Sequence, residues 1–175
     1  MKMNSKVKLK SVHQKVIELK HLNFAERLLV VSVRLWVKAY KQNSCTISKI
    51  RYLYTAAGVS GVAITLDGLM QLLSRKATGN IEINCPNSSI ITQDEERFLT
   101  VIAIWQFTHT KNKAESLTSN WLSSKDNINV QKFFAMLAYE LKEAHFMIRP
   151  RNSHIIGLPE KADPLTNAHP SYYHH

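Results

Sequence analysis

The residues best suited to chemistry are the lysines and arginines in the first third of the chain. Residues 1–52 hold twelve Lys and Arg residues against two acids, Glu18 and Glu26, and so carry the whole net charge of +10. Residues 53–175 hold eleven of each sign. Positive charge that is concentrated in one part of the chain predicts contact with a polyanion such as nucleic acid, or with an anionic membrane surface. The alternative is that the lysines only keep the protein soluble.

The candidate contacts are spread along this third. Arg27 and Arg34 lie seven residues apart, on one face of a predicted helix, with Lys41 nearby. Side chains of this type bind phosphate without reading the base sequence. The predicted anion contacts are Lys6, Lys8, Lys10, Arg27, Arg34, Lys38, Lys49 and Arg51.

Residues 57–60 (AGVS) lie between two predicted helices and resemble the turn of helix-turn-helix DNA-binding proteins. Gly58 permits a left-handed turn, and Ser60 is placed to cap the second helix. The pattern departs from the motif at Asp67, where a buried aliphatic residue is expected. An ordinary corner between two helices of a bundle is therefore the favoured interpretation.

The acidic residues predict structure rather than catalysis. Residues 94–96 (DEE) are consecutive and so face different sides of a helix, where they complement the positive end of its dipole. Asp67 lies in an apolar helix, and we expect it to pair with a cation such as Arg34. No general acid/base pair is predicted.

The histidines do not predict a metal site. Glu140 and Glu143 precede His145, but Lys142 occupies the position three before it, where a helical ligand pair needs a carboxylate. Three histidines among the last seven residues have no fixed geometry. We expect no catalytic, cofactor-binding or metal residue, and hence a protein that is not an enzyme.

The apolar pattern predicts a single all-α domain of five or six helices. Asn23 and Glu26 form a capping box before a helix that ends near Lys41, although apolar residues also alternate there as in a strand. In the helical interpretation, Trp36 and Tyr40 belong to a wide buried face. Two helices follow at residues 47–57 and 61–76, with at most one short strand near Ile81.

The second half of the chain predicts three further helices. Thr92 and Glu95 form another capping box, and that helix runs to about residue 107. A shorter helix covers residues 114–124, and Asp126 or Asn127 caps the last one, which ends near His145. The predicted division is a flexible basic arm (1–10), a helical domain (11–148) and an irregular tail rich in Pro and His (149–175).

The chain lacks the features of a secreted or membrane protein. Cys45 and Cys85 have no disulfide or metal spacing, and we expect reduced thiols. Residues 1–10 lack the apolar stretch of a signal peptide, and no run approaches the roughly 20 apolar residues of a membrane span. The sequence therefore predicts a soluble cytoplasmic protein without a transmembrane segment.

Several short motifs occur in order along the chain: Arg27-Leu28-Leu29, Arg34-Leu35-Trp36, Leu66-Asp67-Gly68-Leu69, Leu72-Leu73, Cys85-Pro86, Asp94-Glu95 and Trp121-Leu122. Together they resemble a family of small helical alphaproteobacterial proteins of unknown function. The resemblance covers about residues 24–150 and implies a helical fold, with no activity, cofactor or partner attached to it.

Two functions are compatible with these observations. The first is a non-enzymatic regulatory or binding module whose basic N-terminal third contacts an anionic partner such as nucleic acid. The second is a protein-interaction or scaffolding domain, possibly homodimeric, that uses an apolar face such as the one around Trp36.

Overall fold

The computed structural model describes residues 16–108 and 110–151. Within them the chain forms one turn of 3-10 helix at Leu19–His21, then six α-helices and no β-strand. The predicted all-α class and helix number are confirmed. The helices are α1 (Phe24–Lys41), α2 (Thr46–Ala56), α3 (Gly61–Lys76), α4 (Gln93–Phe107), α5 (Lys111–Thr118) and α6 (Ser124–Glu143).

Both predicted capping boxes are present. The Asn23 side chain accepts from the Glu26 N–H at 2.9 Å, and the Glu26 carboxylate accepts from the Asn23 N–H at 2.8 Å. Thr92 and Glu95 make the same reciprocal pair at 3.0 and 2.9 Å. These bonds satisfy backbone donors that a helix start leaves open, and they set the first residues of α1 and α4. The alternative of a strand through residues 31–37, where apolar residues alternate, is wrong.

The fifth and sixth helices begin earlier than predicted. The helix expected at residues 114–124 is α5, Lys111–Thr118, and Trp121 lies in the turn that follows it. Ser123 caps α6 instead of Asp126 or Asn127, because its hydroxyl accepts from the Asp126 N–H at 3.3 Å. Asp126 is then a first-turn acid, where its charge complements the helix dipole.

The connection from α3 to α4 is extended, but it forms no strand near Ile81. The N–H of Glu82 donates to the Asp94 carboxylate at 2.8 Å, and the N–H of Asn84 donates to Glu95 at 3.2 Å. These backbone donors bind carboxylates at the start of α4, so they are not available for a sheet. The connection is thereby attached to α4 through its acidic first turn.

The helices pack around one core. α3 lies against α6, α6 against α4, and α1 against α2, which in turn contacts α3. Burying these apolar faces is the main favourable contribution to folding. The largest fully buried side chains include Trp36, Trp121, Tyr54, Phe134, Leu66, Leu69, Leu99 and Ile102.

Gly79 lies directly against the backbone of the turn between α5 and α6. The N–H groups of Thr78 and Gly79 both donate to the Trp121 carbonyl, at 2.8 and 3.3 Å. A Cβ at position 79 would lie 2.0 Å from the carbonyl oxygen of Asn120. Only glycine fits this approach of two backbone segments.

The first helix and the last described residues are joined. Asn23 donates its amide to the Met147 carbonyl at 3.0 Å, and the buried Glu26 carboxylate binds Arg149 Nη2 at 2.8 Å and Arg151 Nη2 at 2.7 Å. The helical unit therefore continues through residue 151, three residues beyond the predicted limit. The predicted arm, residues 1–10, and residues 152–175 of the predicted tail lie outside the described residues.

Cys45 and Cys85 are both free thiols. Of the helices that the structure describes, none is long and apolar enough to cross a lipid bilayer.

Candidate anion-binding surface

Four of the predicted anion contacts are exposed cations on the first two helices. Arg27 and Lys38 lie on α1, Lys49 and Arg51 lie on α2, and Lys41 is exposed at the end of α1. No carboxylate of the described residues forms an ion pair with any of these five. Their charges are available to an external anion.

Arg34 is not available, so its prediction as an anion contact is wrong. Its side chain is fully buried, and it binds both oxygens of Glu95 through Nε at 2.7 Å and Nη2 at 2.8 Å. Its remaining bonds go to the carbonyls of Ser88 and Ile90, at 2.7 and 2.6 Å. Arg34 thus orders the loop before α4. Lys6, Lys8 and Lys10 lie outside the described residues.

The predicted ion pair between Asp67 and Arg34 is also wrong. Asp67 accepts three hydrogen bonds from neutral donors, each at 2.7 Å: Trp36 Nε1, Thr46 Oγ1 and Gln71 Nε2. These donors stabilise the carboxylate without a cation. The same bonds connect α1, the start of α2 and α3, and they fix the plane of the Trp36 indole.

The turn between α2 and α3 has the predicted left-handed glycine but not the predicted serine cap. Gly58 is left-handed with φ of 77°, and the Val59 N–H donates to the Tyr54 carbonyl at 2.8 Å, which ends α2. Ser60 already has helical angles and forms no side-chain cap, so that prediction is wrong. The outward side chain near the start of α3 is Ile64, 64% exposed, which has no hydrogen-bonding group to read a base edge.

The two cations of α2 lie on opposite sides of that helix. Lys49 and Arg51 are two residues apart, which separates them by about 200° around the axis. The buried side chains of Ile50 and Tyr54 lie between them on the inner face. Lys49 and Arg51 therefore extend the basic surface in two directions and do not form one line with α1.

Two neighbouring cavities flank the last turns of α1. The first, about 410 Å³, lies between α1 and residues 83–87, and Lys38 and Lys41 line it. The second, about 260 Å³, is mainly apolar and lies between α1, α3 and residues 77–83. The two cavities share three lining residues, Val37, Lys41 and Ile83. The cation of Lys41 therefore lies at the boundary between the two cavities. The apolar cavity is lined mainly by Val33, Trp36, Tyr40, Met70, Leu73 and Phe98.

Tyr40 is the residue of this surface that the sequence interpretation missed. It was placed on the buried face of α1, but it is 52% exposed. Its ring stacks on Trp36 with centroids 5.1 Å apart and planes 13° apart. Trp36 itself is buried, so the exposed aromatic ring at this place is Tyr40, and the interaction face around Trp36 stays a prediction. The position of Tyr40 between Lys38 and Lys41 was the available signal.

A third cavity, about 520 Å³, lies beside Arg149 and Arg151 and is less suited to binding an anion. Arg149 and Arg151 line it with His21, but both arginines already bind Glu26. Burial acts to raise the pKa of Glu26, but hydrogen bonds from Arg149, the Asn23 N–H and Arg151 outweigh it and lower this pKa to about 2. Glu26 therefore stays ionised and holds both guanidinium groups.

The described residues contain no group of three or more His, Cys, Asp or Glu side chains that could hold a metal ion. Comparison of the chain with known protein families, curated proteins and solved structures gives no match. The resemblance to the alphaproteobacterial family therefore stays a prediction.

Proposed function

We propose that this protein is a non-enzymatic binding module whose basic N-terminal third contacts nucleic acid through its phosphates. In the described residues the contact surface consists of Arg27, Lys38 and Lys41 on α1, and it is extended on the two sides of α2 by Lys49 and Arg51. Such a surface binds by releasing counterions from the phosphate backbone.

The observation that carries the proposal is the uneven pairing of charges in this region. Both acids of the region are engaged, Glu18 by Lys20 and Glu26 by Arg149 and Arg151. The five exposed cations have no such partner among the described residues. Solubility alone does not require cations without neighbouring acids, because surfaces with both signs of charge are also soluble.

The binding is expected to be largely indifferent to base sequence. The exposed side of α3 offers Ile64 where a recognition helix offers polar side chains, and lysine ammonium groups act on phosphate as point charges. Affinity should therefore follow salt concentration more strongly than base composition.

A fluorescence anisotropy titration with a labelled oligonucleotide tests the proposal. If six or more phosphates are contacted, affinity should fall about 10³-fold or more between about 50 and 200 mM salt. The double variant Lys38→Gln/Lys41→Gln should reduce the salt slope by about two, and Gln at Lys6, Lys8 and Lys10 by up to about three.

The matched control is Lys125→Gln/Lys132→Gln, which removes the same charge from exposed positions on α6. It should leave most of the affinity in place. Absence of binding at about 50 mM salt contradicts the proposal, and so does an equal loss in the control, because net charge alone would then explain the binding.

The alternative, self-association, has its own support in three exposed apolar side chains on α6, which share their side of the helix with Lys132. Ile128, Met136 and Tyr139 are 46%, 46% and 61% exposed, and their spacing places them on one side of the helix. Sedimentation velocity over a range of protein concentrations tests this second function. A dimer that Met136→Glu dissolves would support it, whereas a monomer at every concentration would contradict it.

A further inference from the structure

We infer that the ligand is single-stranded nucleic acid, and that Tyr40 and the apolar cavity beside it hold one unpaired base, while Lys41 binds the adjacent phosphate and Lys38, on the other side of α1, binds a phosphate further along the strand. This inference rests on the proposed function and names its substrate class. It follows from the juxtaposition, at the end of α1, of a half-exposed aromatic ring, an apolar cavity and Lys41, a cation without an ion pair among the described residues.

The aromatic part of the site is rigid before any ligand binds. Trp36 is 2% exposed, and its Nε1 donates to Asp67 at 2.7 Å, which fixes the lower ring. Tyr40 stacks on it with a plane angle of 13°. A ring that is already held in place loses little conformational entropy when a base stacks on it, which favours binding.

One cation, Lys41, lies next to this ring in both the chain and the cavities. It follows Tyr40 directly and lines both cavities. Lys38 lies two residues before Tyr40, which places it about 200° away around α1, and it lines only the 410 Å³ cavity. A nucleotide has the same division, since an apolar base face is joined to an anionic phosphate. Grooves that bind single strands combine these two elements.

A duplex offers the phosphates but not the base. Its bases are stacked on one another and paired, so Tyr40 could meet only a backbone or a terminal pair. A helix that reads a duplex also needs polar side chains for the major groove, and α3 presents Ile64 at the corresponding place. The structure therefore favours the single strand over the duplex.

Anisotropy titrations with three labelled probes of equal length, about twelve nucleotides, test the inference. The probes are a thymidylate strand, the same strand with abasic sites, and a duplex. The thymidylate strand should bind at least about fivefold more tightly than the abasic strand and the duplex. Tyr40→Leu should remove most of that preference, whereas Tyr40→Phe, which keeps the ring, should retain it.

The control is Tyr139→Leu, the same substitution at an exposed tyrosine beside Glu140 on α6, which should leave all three affinities unchanged. Circular dichroism of each variant confirms that the fold is kept. Equal affinities for thymidylate and abasic strands, or a Tyr40→Leu variant that keeps the preference, would overturn the base site while leaving the phosphate contact in place. Failure of all three probes to bind at about 50 mM salt would overturn both proposals.

Discussion

Arg34 and Glu95 form a two-point ion pair across 61 residues of sequence, with side-chain exposures of 0% and 1%. The pair serves two structural purposes at once. Glu95 also caps α4, and Arg34 also holds the carbonyls of Ser88 and Ile90. The loop that lines the 410 Å³ cavity therefore depends on the same two side chains as the start of α4.

Replacing Arg34 should be severely destabilising. Arg34→Met keeps most of the volume but leaves the Glu95 carboxylate buried without its cation, and it frees two loop carbonyls. We expect a loss of about 3–5 kcal/mol in the free energy of unfolding, measured by urea denaturation. Arg27→Met, at an exposed cation of the same helix, should change it by less than about 0.5 kcal/mol. A loss below 1 kcal/mol for Arg34→Met would show that the pair contributes little.

Two glycines give a matched pair of alanine substitutions with opposite expected signs. Gly79→Ala places a Cβ 2.0 Å from the Asn120 carbonyl oxygen, so the backbone must move, and we expect a loss of about 2–3 kcal/mol. Gly61→Ala meets no atom within 4 Å at the start of α3 and should raise stability by up to about 1 kcal/mol. Denaturation midpoints of the two variants test this. Equal effects would contradict the close approach at Gly79.

The acid stability of the fold should depend on Glu26. Its pKa in the folded protein is about 2, against an ordinary value of 4.5 that the unfolded chain is expected to show. The ionised carboxylate therefore stabilises the fold fully above about pH 5, and this contribution is lost as the pH falls toward 2. Allowing for solvent screening, we expect it to be about 2 kcal/mol.

Urea denaturation from pH 7 to pH 2 measures this contribution. Glu26→Gln should be less stable than the parent at pH 7 and should approach it at pH 2. Glu143→Gln, at an exposed carboxylate without an ion pair among the described residues, is the control and should follow the parent curve. A Glu26→Gln curve parallel to that of the parent would contradict the assignment.

The hydroxyl of Tyr54 is buried and makes no hydrogen bond of normal geometry with the described residues. The Ser32 hydroxyl beside it donates to the Leu28 carbonyl at 2.7 Å. Tyr54→Phe removes a polar group that is costly to bury, so stability should stay unchanged or rise by about 1 kcal/mol. Tyr52→Phe, at 76% exposure, should have no effect on the denaturation midpoint. A loss above 1 kcal/mol for Tyr54→Phe would reveal a partner for the hydroxyl.

The helix number and the two capping boxes could be predicted because their signals are local. Asn23 and Glu26 lie within one turn, as do Thr92 and Glu95, so spacing alone defines the interaction. The start of α6 was less clear because Ser123, Asp126 and Asn127 are all acceptable caps. The choice among them depends on the turn that follows α5, which contributes no periodic pattern.

The partner of Arg34 could not be predicted from the sequence. The sequence predicts an ion pair of Arg34 with Asp67 because a carboxylate in an apolar helix is expected to need a cation, whereas Asp67 accepts hydrogen bonds from Trp36, Thr46 and Gln71. Side chains that donate hydrogen bonds without carrying a charge cannot be identified as partners of a carboxylate from the pattern of charged residues. Tyr40 was assigned to the buried face for a similar reason, since its position fits the apolar stripe although the ring is half exposed at the last turn of α1.

The bridges from Glu26 to Arg149 and Arg151 also decide how the protein would respond to mechanical load. Tension on the C-terminal side of the helical unit would reach these bridges before it reaches α6, because they join the first helix to the last described residues. Tension on the N-terminal side would first reach the backbone bonds that join residues 17–19 to residues 89–91. In an optical trap the first extension step should therefore be short, and it should free residues 144–151 from the start of α1 or residues 17–19 from the loop before α4. The contact between α3 and α6 should break only at higher force.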